Sequence, residues 1–350
     1  MSNSVLNMQC PIPLSEYPQI VLAHGGGGKL THQLIQRLFG PVFNNPHQET
    51  ERDSAILSDI QGTIAMTTDS YVVYPQFFPG GNIGTLAING TVNDLAVSGA
   101  IPLYISAGFI LEEGFPMESL WEVVKYMRAA ADEAGVEIVT GDTKVVEKGK
   151  GDGIYINTTG IGVVPEGADM GPHRIDKGDV VIVNGDIGRH GIVIMARREG
   201  LNFELNIKSD CAPVNHTIHA ILEEGIPVHC MRDATRGGLA GVCIELSSAS
   251  GKSIILEDAR IPIMEEVKNT CEILGLDPLY VANEGKFVTI VEKKYADRVM
   301  EIIHSCEPDN IPAIIGEVTS DYGNQVILKN SFGGKRILDL FSGEQLPRIC

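Results

Sequence analysis

The sequence has no excess of basic charge, no long apolar run and no paired-cysteine motif. Each absence removes a class of protein. Its 27 Lys and Arg residues stand against 45 Asp and Glu, for a formal net charge of −18. Binding to nucleic acid through phosphate neutralisation needs a basic footprint, so no nucleic-acid partner is expected. Phosphate-rich ligands stay compatible, because a divalent cation joins acidic side chains to phosphate. The longest apolar runs resemble "VVIV", far below the roughly 20 residues of a membrane helix, so no membrane association is expected. The start, "MSNSVLNMQCPIPLSEYPQ", has neither the basic nor the apolar region of a secretory leader and is expected to be a loosely ordered extension over residues 1–18.

Seven cysteines, at 10, 211, 230, 243, 271, 306 and 350, are odd in number and scattered, without C-x-x-C. That excludes a disulfide framework and a zinc module. Free thiols in a reducing cytoplasm are expected, with Cys243 and Cys271 as plain core residues. The histidines form no H-x-x-x-H pair, so no zinc site is assigned.

What is present points to a mixed α/β chain of the α+β class, long enough for two domains. "QIVLAH" at 19–24 reads as a strand, and "LTHQLIQRLFG" after it as a helix. "GTIAMTTDSYVV", "IPLYISAGFIL", "VEIVTGDTKVVE" and "GIYINTTGIGVV" have strand composition. "NIGTLAINGTVNDLAVSGA" has helical apolar spacing, and "PMESLWEVVKYMRAAADEAG" reads as a helix opened by proline and closed by glycine. The segment 165–178, rich in Pro, Gly and charge, is read as a domain boundary. It separates an N-terminal domain, 19–165, from a C-terminal α/β domain, 178–340, with a tail over 341–350. In the second domain "DVVIVNGDIG" reads as a strand. Helices are expected near 187–200, near 213–225 and over "RGGLAGVCIELSSASG".

Four aspartates stand in similar settings: Asp69 in "TTDS", Asp94 in "VNDLA", Asp142 in "TGDTK" and Asp233 in "RDATRGG". Carboxylates from separate segments suit a hard cation such as Mg²⁺, which also takes phosphate oxygens. Each alone reads equally as a turn former or helix N-cap. "HGGGGK", from His24 through Gly25, Gly26, Gly27 and Gly28 to Lys29, precedes a helix start, where backbone N–H groups approach phosphate. It has the spacing of neither a P-loop nor a dinucleotide fingerprint, and by itself it is also a plain turn. Lys144 and Glu284 are each a general base if burial tunes them, and surface charges otherwise. The chain ends in "PRIC", placing a thiol, Cys350, at the last position.

Together "HGGGGK", "TTDSYVV", "NDLAVSGA", "TGDTKVV", "DATRGGLA", "NEGK" and the terminal "PRIC" resemble the HypE family of hydrogenase maturation factors, over about residues 20–350. The aspartate and glycine motifs are shared with the wider aminoimidazole ribonucleotide synthetase-like superfamily, and "PRIC" separates HypE from those relatives. The resemblance implies a two-domain fold of that superfamily, a homodimer formed through the N-terminal domain, and Mg-ATP bound in a cleft. It implies that an S-carboxamide on Cys350 is dehydrated to a thiocyanate. A HypF-like carbamoyltransferase would load the thiol. A HypC–HypD complex would accept the cyanide for the iron of a nickel–iron hydrogenase. On this reading Cys350, Lys144 and Glu284 are catalytic, and Asp69, Asp94, Asp142 and Asp233 bind the metal. ATP would contact these four aspartates, His24, the glycines 25–28, Lys29 and Thr143. The competing readings are a non-catalytic thiol carrier switched by ATP and another ATP-dependent enzyme of the superfamily, such as a selenophosphate synthetase. The latter's reactive residue in the N-terminal glycine-rich segment has no match here, because His24 precedes the glycines and Pro11 follows Cys10.

Overall fold

The computed structural model describes residues 6, 8–13, 15–47, 54–58, 60–199 and 207–340. Two sheets organise it. The strands of the first half are β1 (Thr63–Tyr71), the short pair β2 (Phe77–Phe78) and β3 (Gly81–Asn82), β4 (Ile101–Glu112), β5 (Glu137–Val146) and β6 (Ile154–Val164). Four of them form a sheet in the order β1-β6-β4-β5. Its pairs are antiparallel except β4 with β5. Helices α1 (Lys29–Leu34) and α2 (Gly40–Phe43) precede it, joined by a π turn over Ile35–Phe39. The expected single helix is loosened there because Pro41 has no N–H to give to the preceding turn.

Helix α3 (Ile83–Val97) lies across one face of this sheet. Asn82 caps it, its Oδ1 accepting from Gly84 N at 2.7 Å and Thr85 N at 3.2 Å. The helix is apolar nearly all round and almost wholly buried, as a helix between two layers must be. Gly84 lets the next helix, α4 (Met117–Ala134), approach closely: a Cβ there would lie 2.5 Å from Val123 O. Pro116 precedes α4, and Gly135, at φ 73°, ends it in the left-handed region.

The second half holds a seven-stranded sheet in the order β13-β12-β9-β11-β7-β10-β8. Its strands are β7 (Asp179–Val183), β8 (Val228–Asp233), β9 (Ser253–Glu257), β10 (Phe287–Glu292), β11 (Ala313–Thr319), β12 (Val326–Lys329) and β13 (Lys335–Leu338). Helices are α5 (Arg189–Arg198), α6 (Asn215–Glu223), α7 (Gly238–Ser250), α8 (Glu265–Leu274) and α9 (Ala296–Cys306). On one face Leu239, Val242 and Leu246 of α7 pack with Val181, Val288 and Ile290. On the other, Ile218 of α6 and Val299 of α9 pack with Ile182 and Phe287. Both faces are covered, so β7 reads, after Asp179, as an unbroken apolar run.

Asn93 on α3 stitches the halves together. Its Nδ2 donates to Ala212 O at 3.0 Å and Glu284 O at 3.3 Å, and its Oδ1 accepts from Val214 N at 2.9 Å. Ala96 and Val97 of α3 join the core around Met231 and Phe287.

Two expectations change. Residues 19–24 are not a strand. Gln19 makes a single bridge to Pro116, and Leu22–His24 is a 3₁₀ turn. The described part of the N-terminal extension is not loose: Ile12 is buried, and Trp121 and Lys125 of α4 donate to the carbonyls of Met8 and Leu6. Apolar side chains on an extension can join a neighbouring core, which a polar-looking sequence does not announce. Among the described residues no helix is long and apolar enough to cross a membrane, and the six described cysteines are free thiols. The tail 341–350, with Cys350, lies outside the described residues.

Candidate active site

Alternation along β1 turns Thr67, Asp69 and Tyr71 toward α3, while Met66, Thr68 and Ser70 face away. Asp94, on the last turns of α3, meets this row. Thr67 Oγ1 donates to Asp94 Oδ2 at 2.8 Å, and the Tyr71 hydroxyl donates to Asp69 Oδ2 at 3.2 Å. Asp233, the last residue of β8, and Glu284, just before β10, approach from the second sheet.

The electrostatics show that these groups are close. Burial pushes the Asp94 carboxyl up to about 7, and the charges of Asp233 and Asp69 push the same way against the Thr67 hydrogen bond. Burial also raises Asp233, with Asp69 adding and Arg232 opposing. Glu284 is 3% exposed, and its Oε1 has no hydrogen-bond partner among the described residues. Burial holds it well above the usual carboxylate range, and Asp210, Asp233 and Asp69 add to that. The Tyr71 phenol is likewise raised, first by burial and then by Asp69, so it stays a neutral donor.

An under-compensated acidic cluster of this kind takes up protons or a cation. A cavity of about 480 Å³ opens beside it, between the halves. Polar residues Thr67, Asp94, Asp233 and Arg236 line it together with apolar Met170, Pro172, Val242 and Leu246. A lining that mixes apolar surface with carboxylates and an arginine suits a ligand that has both an apolar and a charged part. Among the described residues no three Asp, Glu, His or Cys side chains converge tightly enough to hold an ion alone. A cation held here would need part of its shell from elsewhere, such as phosphate oxygens.

Three of the four expected aspartates gather here, with Glu284. Asp142 does not join them. Across the sheet Asp69 aligns with Thr158, Ala107 and Gly141, whereas Asp142 aligns with Gly108, Asn157 and Ser70. The two rows point to opposite faces, so the sheet itself separates Asp142 from Asp69. Lys144 shares the outer face, and Thr143 between them faces inward beside Phe109.

The glycine loop goes with this second group. Gly25 lies flat on β5, where a Cβ would stand 2.5 Å from Val145 N. Gly26, Gly27, Gly28 and Lys29 are exposed, and Gly27 N donates to Thr31 Oγ1 at 2.9 Å. His24 is buried edge-on against Tyr17, its Nδ1 accepting from Val21 N at 3.0 Å, and burial lowers its pKa. It packs and braces the loop.

The sequence reading missed Thr67 and Tyr71. Both lie two residues from Asp69, the same-face spacing of a strand, so that signal was available. Asp210, Arg236 and Met170 carry no such local signal.

Residues 51–164 match the AIR synthase related protein, N-terminal domain, and residues 176–329 match the AIR synthase related protein, C-terminal domain. The fold and the cleft thus define a two-domain protein of the AIR synthase related class. Carbamoyl dehydratase HypE of Azotobacter vinelandii is 47% identical over 331 residues, 95% of this chain and 97% of that protein. A crystal structure of hydrogenase maturation protein HypE in complex with ATP superimposes with a TM-score of 0.91 at 44% identity, covering 94% of this chain and 99% of that one. A HypE chain from a HypE–HypF complex gives a TM-score of 0.77 at 46% identity, over 88% of this chain and 99% of that one. The chain belongs to the HypE family of hydrogenase maturation proteins.

Proposed function

We propose that this chain is an ATP-dependent carbamoyl dehydratase, converting an S-carboxamide on Cys350 into a thiocyanate that supplies the cyanide ligand of a nickel–iron hydrogenase. The observation that carries the reading is the buried Glu284 carboxyl, its Oε1 without a hydrogen-bond partner among the described residues, set near Asp69 and Asp233 beside a cleft that Asp94 and Asp233 line, in a HypE-family chain.

The carboxamide oxygen is a poor leaving group. On this reading it accepts the γ-phosphoryl group of ATP and departs as phosphate, while the nitrogen loses both protons and forms a triple bond to carbon. ATP and the carboxamide become ADP, phosphate and thiocyanate. Asp69, Asp94 and Asp233 would hold Mg²⁺, which neutralises phosphate charge during the transfer. A bound cation would favour the ionised form of the nearby Glu284, and Glu284 is the group placed to take a proton from nitrogen. Arg236 lines the cleft and offers a donor to phosphate. The loop His24–Lys29 covers the phosphates, and Lys144 acts beside it with Asp142 and Thr143.

Asp142 and Lys144, on the outer face of the sheet, reach a cleft only if a second chain takes part. The outer face of the first sheet presents Ile64 at 57%, Met66 at 70% and Ile110 at 45% exposure. A second copy on this face, related by an axis along the strands, sets β5 of one chain over β1 of the other. That homodimer would bring Lys144 and Asp142 toward the partner cluster around Asp69. A HypF-like carbamoyltransferase loads Cys350, and a HypC–HypD complex takes the cyanide, in a reducing cytoplasm that suits the free thiols.

The test is mass spectrometry of the C-terminal peptide, carbamoylated by a HypF partner, before and after Mg-ATP. Loss of one water that depends on ATP is expected. An unchanged carboxamide with ATP bound would leave the thiol carrier as the better reading.

A further inference from the structure

Tyr71 carries an inference about how the acidic cluster is held. It rests on the Mg-ATP reading above. Its ring is buried at the end of β1, and its hydroxyl lies 3.2 Å from Asp69 Oδ2 and 3.4 Å from Thr91 Oγ1. Thr91 Oγ1 is 2.5 Å from Thr158 Oγ1, and Thr158 Oγ1 is 3.3 Å from Ala87 O. A carbonyl only accepts, so Thr158 gives its proton to Ala87 and accepts the proton of Thr91. The phenol has one proton and two acceptors in reach, and the carboxylate is both the nearer and the stronger.

The neighbouring helix is built to seat this hydroxyl. Gly90, one turn before Asp94, faces it, and a Cβ at Gly90 would overlap the phenolic oxygen. On the other side Thr67 holds Asp94 Oδ2. Thr67 and Tyr71 therefore flank Asp69 on one strand face and clamp the two carboxylates from both sides.

We propose that Tyr71 is a positioning residue for the cation–nucleotide site: its hydroxyl holds Oδ2 of Asp69 and so fixes that carboxylate beside Asp94, in a seat kept open by Gly90. Its contribution is to the cation-dependent part of nucleotide binding, because it touches a carboxylate and lines no part of the cavity.

The test is equilibrium binding of ATP to the full chain, in Mg²⁺ and in EDTA, for wild type and Tyr71→Phe. The expected result is that Tyr71→Phe loses about tenfold of the Mg²⁺-dependent gain in affinity, with binding in EDTA unchanged. Equal weakening in both buffers, or an undiminished gain, overturns the inference. A wild type with no Mg²⁺-dependent gain instead overturns the Mg-ATP reading beneath it. Gly90→Ala gives an independent arm. It should lower the melting temperature and the Mg²⁺ gain together. Adding Tyr71→Phe removes the clashing oxygen and leaves only the tighter ring contacts, so the double variant should recover part of its melting temperature and none of its Mg²⁺ gain. Recovery of the Mg²⁺ gain along with melting temperature would show that the hydroxyl does not position Asp69.

Discussion

Replacing Asp94 with asparagine should stabilise the nucleotide-free protein above neutral pH. The Asp94 carboxyl is raised from 3.8 to about 7, by burial first and then by Asp233 and Asp69. Below pH 3.8 the group is protonated folded and unfolded, and stability does not depend on it. Between that value and about 7 the unfolded chain releases a proton that the folded chain keeps, so stability falls as pH rises. Above about 7 both states are ionised, and the loss is complete. Three units at about 1.36 kcal/mol each make a penalty of about 4 kcal/mol. Asparagine removes it, keeps an oxygen for the Thr67 hydroxyl, and relieves Asp69 and Asp233 of a like charge. The assay is urea denaturation of the nucleotide-free protein from pH 5 to pH 9. With the folded value at about 7 and the unfolded one at 3.8, Asp94→Asn should exceed wild type by about 1.6 kcal/mol at the acid end and by about 4 kcal/mol at the alkaline end. Parallel pH profiles for the two proteins would refute the reasoning, because the cluster would then not be forcing ionised carboxylates together.

Glu284→Gln keeps the shape of a buried side chain and removes its ability to take a proton. ATP binding should persist while dehydration of the Cys350 carboxamide falls by about two to four orders of magnitude, read by peptide mass spectrometry; turnover within tenfold of wild type would exclude Glu284 as the base. The same variant should be the more stable at alkaline pH, since Glu284 is raised for the same reason as Asp94. Ile110→Glu places a charge in the middle of the exposed face of the first sheet. Sedimentation should show a dimer become a monomer with the fold intact, and an unchanged mass would remove this face as the dimer surface.

Local patterns carried much of the architecture. Two-residue alternation in "TIAMTTDSY", helical spacing in "IGTLAINGTVNDLAV", and the bracket of Pro116 and Gly135 around α4 are properties of a few neighbouring residues, and the structure places elements where they point. "QIVLAH" misled because its β-strand composition has only one bridge partner there, at Pro116. The same limit governs the site. Four aspartates in similar surroundings look equivalent along the chain. Pairing register makes them different, turning Asp69 inward toward Asp94 and Asp142 outward on the far face. Register is a relation between strands distant in sequence, and a shift of one residue would exchange the faces. The chemical types needed for the site were therefore written in the sequence itself. Which of them share a face, and how far burial raises Asp94 and Glu284, was decided only when the two sheets closed on α3.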